Sequence, residues 1–405
     1  MKTIDNNSIG CTGCGACAVV CPTKCISFEN NKDGFYYPTV DKAKCIECGK
    51  CLSVCAVAAK SIEGVADNEQ QAYAAVTKNI DTWYASSSGG AFSEICNSIN
   101  ELANGNKILF CGCAYNGLFI EHKCVYRIED IGNFRKSKYV QSFMGNCFGE
   151  IKKMLIEGGY AVFSGTPCQV YALRKYLGRE YERLYCVDLI CHGVGSPGVF
   201  ERCIDNEEKR VNKHVIAYEF RAKPPRKRTV VRYTSKYTYS DKKNKYIAYD
   251  SYSRLFLNQV CLRESCGENC RFRNQNRQGD ITIADFNEKT VALPRINDFK
   301  NYSTIVCNNA KGRKVVAELR KRMDIYCCSL DIIKKYNPLF YRRTNENMQR
   351  KAFFEQYRAG KSIDCLVTEF GYIPPKGYKW IIENMPYSIK RFIYSLVGGL
   401  KNGSK

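Results

Sequence analysis

The sequence predicts an α/β chain in two parts, a small cysteine-dense domain followed by a larger core of alternating strands and helices. Three observations predict it. Cys11, Cys14, Cys17 and Cys21 are spaced C-x2-C-x2-C-x3-C, and Cys45, Cys48, Cys51 and Cys55 repeat that spacing 34 positions on. Tyr160–Phe163 is an apolar run that enters the turn Ser164-Gly165-Thr166-Pro167-Cys168-Gln169 and then the helical pattern Val170–Leu177. Finally, 405 residues leave ample chain behind the first sixty to bury a core of ordinary size.

The repeated spacing is that of ferredoxins with two cubane clusters, in which the fourth cysteine of each run ligates the other run's cluster. Cys11, Cys14, Cys17 and Cys55 are therefore expected around one 4Fe-4S cluster, and Cys45, Cys48, Cys51 and Cys21 around the second. Three thiolates on one tight loop reach three corners of a cube, and Gly13, Gly15, Ala16 and Gly49 let the backbone wrap closely. A zinc site or a disulfide framework is the rival reading, but zinc knuckles use cysteine pairs rather than two identical quartets. Ala56 stands where a second proline would usually follow.

The opening residues Met1–Gly10 carry no apolar segment and no stretch approaches the ~20 apolar residues of a membrane span, so a reducing cytoplasm is expected. The formal charge of +22 calls for an acidic partner. Ile26–Asp41 reads as a hairpin turning at Lys32-Asp33-Gly34, with Cys25 a bystander, and Lys60–Gln71 as a linker. Four units follow from these breaks: a ferredoxin-like domain over 1–62, a linker over 63–71, a core over 72–310 and a helical region over 311–405. In the core, Ala72–Tyr84 reads as a strand, and Ser86-Ser87-Ser88-Gly89-Gly90 opens the helix Ala91–Leu102. Unpaired N–H groups there suit an anion, although a serine before a helix is more often only an N-cap. Lys107–Tyr115, Leu184–Ile190, Asp280–Phe286 and Ser303–Cys307 read as strands, Cys147–Gly158 and Lys311–Met323 as helices. The Tyr- and Lys-rich segments Thr229–Tyr239 and Lys245–Tyr252 read as a hairpin with one solvated face rather than a nucleic-acid surface. The basic apolar tail Ile389–Leu400 suits a docking helix or peripheral contact with the inner membrane face.

Five stretches in order carry a resemblance: Ser86–Phe92, Ser137–Ser142, Ser164–Gln169, Asp188–Pro197 and Leu262–Phe286. With them the chain resembles the coenzyme F-420 hydrogenase/dehydrogenase beta-subunit family, in the form with a ferredoxin domain in front. The resemblance implies a flavoprotein core that passes electrons between 4Fe-4S clusters, FAD and a deazaflavin or other reducible organic substrate. Some members sit among surface-polysaccharide genes. It implies an FAD site at Ser87, Ser88, Gly89, Gly90, Gly165, Thr166, Pro167 and Gln169, with Lys138 as charge partner. Cys168, Cys191 and His192 are the candidate catalytic residues, Cys168 with a thiol pKa lowered by its helix N-terminus. Two departures stand out. Cys266 and Cys270 are C-x3-C where the family has C-x2-C, which leaves their role open, and Phe286-Asn287-Glu288 replaces Phe-Trp-Gly. An acidic ferredoxin or flavodoxin is the expected electron carrier, with no nucleic-acid partner. The alternative is an adaptor relaying electrons to a partner enzyme, for which flavin loops would have no use.

Overall fold

The computed structural model describes residues 3–4, 10–224, 233–286, 301–343 and 347–377. Most of the basic run Arg221–Arg232, Asn287 and Glu288, and the tail Ile389–Leu400 lie outside the described residues. Among the described residues, no helix is long and apolar enough to cross a membrane.

The first domain is small and local. Helices α1 (Ala16–Val20) and α2 (Lys50–Ser53) each carry the third cysteine of their run, and each starts at a glycine with positive φ, Gly15 and Gly49. Strands β1 (Ile26–Asn30) and β2 (Tyr36–Val40) make the expected antiparallel hairpin. Asn31 Oδ1 accepts from the N–H groups of Asp33 and Phe35, so the turn is set by its own residues.

The core is a mixed eight-stranded sheet. Its first strands are β3 (Gln71–Thr77), β4 (Ile108–Asn116), β5 (Phe119–Val125), β6 (Tyr160–Gly165) and β7 (Leu184–Leu189). Strands β8 (Val215–Glu219), β9 (Thr234–Tyr239) and β10 (Asn244–Ala248) form a separate antiparallel sheet. The core sheet is completed by β11 (Ile281–Asp285), β12 (Ser303–Cys307) and β13 (Met323–Cys328), in the order β13-β3-β12-β11-β7-β6-β4-β5. β4, β6, β7 and β11 are parallel neighbours. Such strands are buried on both faces, which explains their unbroken apolar runs. Phe110, Val162 and Val187 pack on one face with α4 (Ala91–Ala103) and the helix Ala310–Leu319. Leu109, Ala161, Phe163 and Cys186 pack on the other with α5 (Cys147–Ile156) and α6 (Pro167–Leu177).

Three expectations are corrected. The strand expected to reach Tyr84 stops at Thr77, because Asn79 accepts from Thr82 N–H and caps α3 (Ile80–Ala85). The helix expected through Met323 stops at Leu319, and 323–328 pairs with β3, so the region expected to be helical contributes a strand to the core sheet. The second arm of the Tyr/Lys hairpin ends at Ala248, since Asp250 caps the helix Ser251–Leu257.

The ferredoxin-like domain is tied to the core through backbone groups. Tyr36 N–H donates to Gln141 Oε1 at 3.0 Å, and Gly198 N–H donates to Gly34 O at 3.1 Å. Gly34 and Gly198 approach so closely that a Cβ on Gly34 would sit 2.6 Å from the Gly198 Cα. Arg263, almost fully buried, lies over the Tyr37 ring and donates from Nε to Cys11 O at 2.7 Å. The linker is an ordered tie: Val65 N–H donates to Arg277 O, and Asp67 pairs with Arg313 at 2.8 Å.

Candidate functional site

The structure interleaves the two cysteine runs. Cys21 joins Cys45, Cys48 and Cys51 around one pocket, with Cys25 beside them, its Sγ 3.4 Å from that of Cys21. Cys55 comes to the first run, where Cys14 and Cys17 each feel the charge of Cys11 and Cys55. Burial pushes the Cys14 thiol up to about 11 and the Cys17 thiol higher still. Thiols so disfavoured as bare thiolates ionise on binding a metal and release their protons. The donor chemistry therefore suits cubane clusters.

A third thiol quartet comes from separate loops. Cys168, Cys191, Cys266 and Cys270 line one small pocket at the carboxyl ends of β6 and β7, with Thr12, Phe272, Arg273 and Arg277. Cys168 is the second residue of α6, Cys191 follows β7, and Cys266 and Cys270 flank a 3-10 turn over Gly267–Asn269. Gly267, at φ +74°, absorbs the extra residue of the C-x3-C spacing within that turn. The expected lowering of the Cys168 thiol is corrected: desolvation by its surroundings drives it well above the usual thiol range. Cys191 and Cys266 are raised for the same reason, Cys266 to about 12. Positive charge from Arg273 and Arg277 favours the Cys191 thiolate. This quartet has the donor set and burial of the ferredoxin quartets. Sequence spacing held no signal for it beyond the open question over Cys266 and Cys270.

Thr166, Cys191, Gly193 and Val194 line this pocket on one side and a much larger cavity, about 440 Å³, on the other. The cavity lies along the carboxyl edge of β6, β7 and β11, where α/β sheets bind ligands. It gathers Ser87, Ser88, Gly90, Lys138, Gly165, Thr166, Gln169, Cys191 and His192. Gly89, Pro167 and Cys168 do not line it. Gly89 instead donates its N–H to Ser303 Oγ, and a Cβ there would meet Ala75 O at 2.3 Å, so glycine is required for close backbone approach. Pro167 and Cys168 face the quartet pocket.

The serine hydroxyls are already engaged. Ser88 Oγ donates to Tyr302 O at 2.6 Å, and Ser87 Oγ accepts from Ser137 N–H at 2.9 Å. What the loop offers an anion is the start of α4. Gly90, at φ +86°, provides no side-chain cap, and the next residues Ala91, Phe92 and Ser93 all line the cavity. Arg135, not singled out from sequence, stands beside them with Nε donating to Ser93 Oγ at 3.0 Å. Lys138 is half-buried, donates from Nζ to Arg135 O at 2.7 Å, and has its pKa lowered to about 8 by desolvation. Arg221 crosses from the far wall to Asp285 at 2.6 Å and to Ser87 O at 3.1 Å. Cationic groups and free N–H groups at one end, with an apolar wall of Phe134, Ile190, Phe256 and Leu339 elsewhere, fit a nucleotide-bearing flavin.

The Gly165–Gln169 turn is held from below. Gln169 Oε1 accepts from Thr166 N–H at 2.9 Å, and its Nε2 donates to Ser142 Oγ at 3.1 Å. Ser142 Oγ lies 3.0 Å from His122 Nδ1, and His122 Nε2 lies 3.2 Å from Ser164 O. The neutral ring satisfies both partners, with Nδ1 accepting and Nε2–H donating. Burial lowers His122 to about 4. A histidine neutral in the fold and protonated at about 6.5 when unfolded contributes stability above that value, lost as pH falls towards 4. Stability should drop by about 2 kcal/mol between pH 7 and pH 5 through this group. His122→Gln should flatten that part of an anaerobic denaturation series, the difference in slope being the reading because acid lability of clusters is common to both proteins.

Residues 160–331 match the family model for the C terminus of the coenzyme F-420 hydrogenase/dehydrogenase beta subunit, and residues 10–59 match the 4Fe-4S dicluster domain. No curated protein matches the chain. Among solved structures it is similar to the xenon-derivatised F-420-reducing NiFe hydrogenase complex from Methanosarcina barkeri, at 12% identity and a TM-score of 0.46, over 77% of this chain and 97% of that one. Residues 160–331 thus match the C-terminal region of the F-420 hydrogenase/dehydrogenase beta subunit and residues 10–59 match a 4Fe-4S dicluster domain, so the chain is an iron–sulfur electron-transfer protein related to that beta subunit.

Proposed function

We propose that the protein is an iron–sulfur flavoprotein oxidoreductase, with FAD in the large cavity and electrons exchanged with a deazaflavin or another small reducible substrate. The carrying observation is the shared wall: Thr166, Cys191 and Gly193 line both the pocket of the thiol quartet and the cavity. A flavin bound there would convert single-electron supply into two-electron chemistry. The chain's own part is positional. Ala91–Ser93 and Arg135 hold the diphosphate end, the Thr166–Gln169 capping box fixes the turn beside the ring end, and Phe256 packs against the His192 ring. A third cluster on Cys168, Cys191, Cys266 and Cys270 belongs to the same reading, beyond the two counted from spacing. A role in surface-polysaccharide synthesis rests on the family resemblance alone. The adaptor reading gains nothing from a cavity of this size.

Arg135→Glu tests the flavin site. It places a carboxylate at the start of α4 and should lower the flavin content of purified protein more than tenfold while iron is unchanged. Full flavin in that variant would leave the cavity without its anion end.

For the basic chain we propose an acidic electron carrier, a ferredoxin or flavodoxin, as partner in the cytoplasm. Its reduction of the protein should slow steeply as salt rises, as opposite charge raises association rates by about 10–10³. A salt-independent rate, with retention on anionic vesicles lost on removing residues 387–405, would point to peripheral membrane contact instead.

A further inference from the structure

A fourth thiol group lies apart from all of these. Cys111 and Cys124 face each other across β4 and β5, and Cys147 is the first residue of α5. Their Sγ atoms lie within 4.8 Å of one another, and among the described residues no other three histidine, cysteine or carboxylate donors come so close. All three are free thiols; Cys111 and Cys147 are buried and Cys124 is partly exposed, which leaves an entry on one side. We propose that Cys111, Cys124 and Cys147 form a three-thiolate site for one soft cation of the copper(I) class, distinct from the iron–sulfur sites, that clips edge strand β5 and α5 to β4.

The geometry selects the ligand. Metal–thiolate bonds of about 2.3 Å in a planar trigonal arrangement set sulfurs about 4 Å apart, inside the observed limit. A cubane holds its thiolates farther apart, and neither ferredoxin quartet brings three sulfurs within that limit. Zinc in structural sites takes a fourth protein ligand. His122 sits on the same face of β5 as Cys124, but both of its ring nitrogens are engaged, by Ser142 and Ser164. No fourth donor among the described residues joins the group at the same distance. Soft thiolates without nitrogen or oxygen ligands favour copper(I). Cys147 lies at the positive end of a ten-residue helix, which favours its thiolate. Packing explains why small residues stand here, as free cysteines are often buried. It does not explain three from three different elements converging sulfur to sulfur.

The test uses the anaerobic holoprotein with its clusters intact, titrated with copper(I) against a chromophoric copper(I) chelator. One copper per chain should be held with iron unchanged, and X-ray absorption should show three sulfurs at about 2.3 Å. Cys147→Ser and Cys124→Ser, each nearly isosteric, should weaken retention more than tenfold with unaltered circular dichroism and iron content. No retention by wild type, retention by both variants equal to that of wild type, or copper that enters only as iron leaves would overturn the site. So would a tightly held zinc, or a disulfide among the three thiols in anaerobically isolated protein.

Discussion

Cys191→Ser is expected to lower the iron of anaerobically reconstituted protein from about twelve to about eight per chain, with the ferredoxin-type clusters intact. Cys168→Ser and Cys270→Ser should do the same, because each removes one corner from a set of four. The expectation rests on convergence: the four residues line one pocket, none is exposed, and two arginines stand at its wall. A cluster carries net negative charge, and Arg273 and Arg277 supply a favourable field in a site shielded from water. The same variants should abolish electron exchange between the reduced dicluster domain and the cavity while leaving dithionite reduction of that domain unchanged. Wild type with eight iron, and variants with the same eight, would reduce Cys266 and Cys270 to packed thiols. Cys203→Ser is the control. That thiol is buried in the apolar cluster of Val199, Phe200 and Tyr252, away from the pocket, and its iron count should not move.

How much of this was legible in the sequence depends on where each signal lives. The ferredoxin quartets are legible because three of each four ligands sit on one loop, so spacing alone encodes them. The β6 to α6 unit is legible for a similar reason: strand, capping box and Gly178 stop signal follow one another within twenty residues. The quartet of Cys168, Cys191, Cys266 and Cys270 is not, because parallel strands bring distant loops to one edge and no local spacing survives that. β13 was missed because its pairing partner is β3, some 250 residues earlier, and the segment itself follows an amphipathic helix without a proline break. The α3 error is different in kind. Asn79 three residues before Thr82 is a local cap signal, overlooked beside two aromatic residues that favour strands. Gly89 shows the limit of motif reading. In the string Ser-Ser-Gly-Gly one glycine serves the cavity, and the other lets the loop lie against β3 and β12.

Arg277→Met should destabilise the fold by about 3–5 kcal/mol, the scale for removing one partner of a buried ion pair. Arg277 and Asp188 are both almost fully buried and lie 3.2 Å apart. Asp188 lies near the end of β7, in the motif that leads to Cys191, and it also accepts from the backbone N–H groups of Gln278 and Gly279 at 3.1 Å and from Thr282 Oγ1 at 2.5 Å. Arg277 returns a bond to Leu189 O at 2.6 Å and faces the thiol quartet. One carboxylate therefore ties the segment after Cys270 to the strand before Cys191. Losing the guanidinium leaves a carboxylate without its counter-charge in the interior, and losing the carboxylate takes the counter-charge from the guanidinium and the acceptor from two backbone N–H groups. Asp188→Asn should therefore be nearly as damaging, since its amide keeps one acceptor but loses the charge. The informative variant is the pair Arg277→Met with Asp188→Asn, which removes both charges. It should be more stable than the sum of its two losses by more than about 1 kcal/mol in a denaturant-midpoint cycle. Additive losses would mean that water reaches the pair and that its charges do not couple. Iron content read alongside separates architecture from chemistry: the single variants should lose occupancy of the quartet before that of the ferredoxin sites, because the pair braces two of the loops that carry its sulfurs.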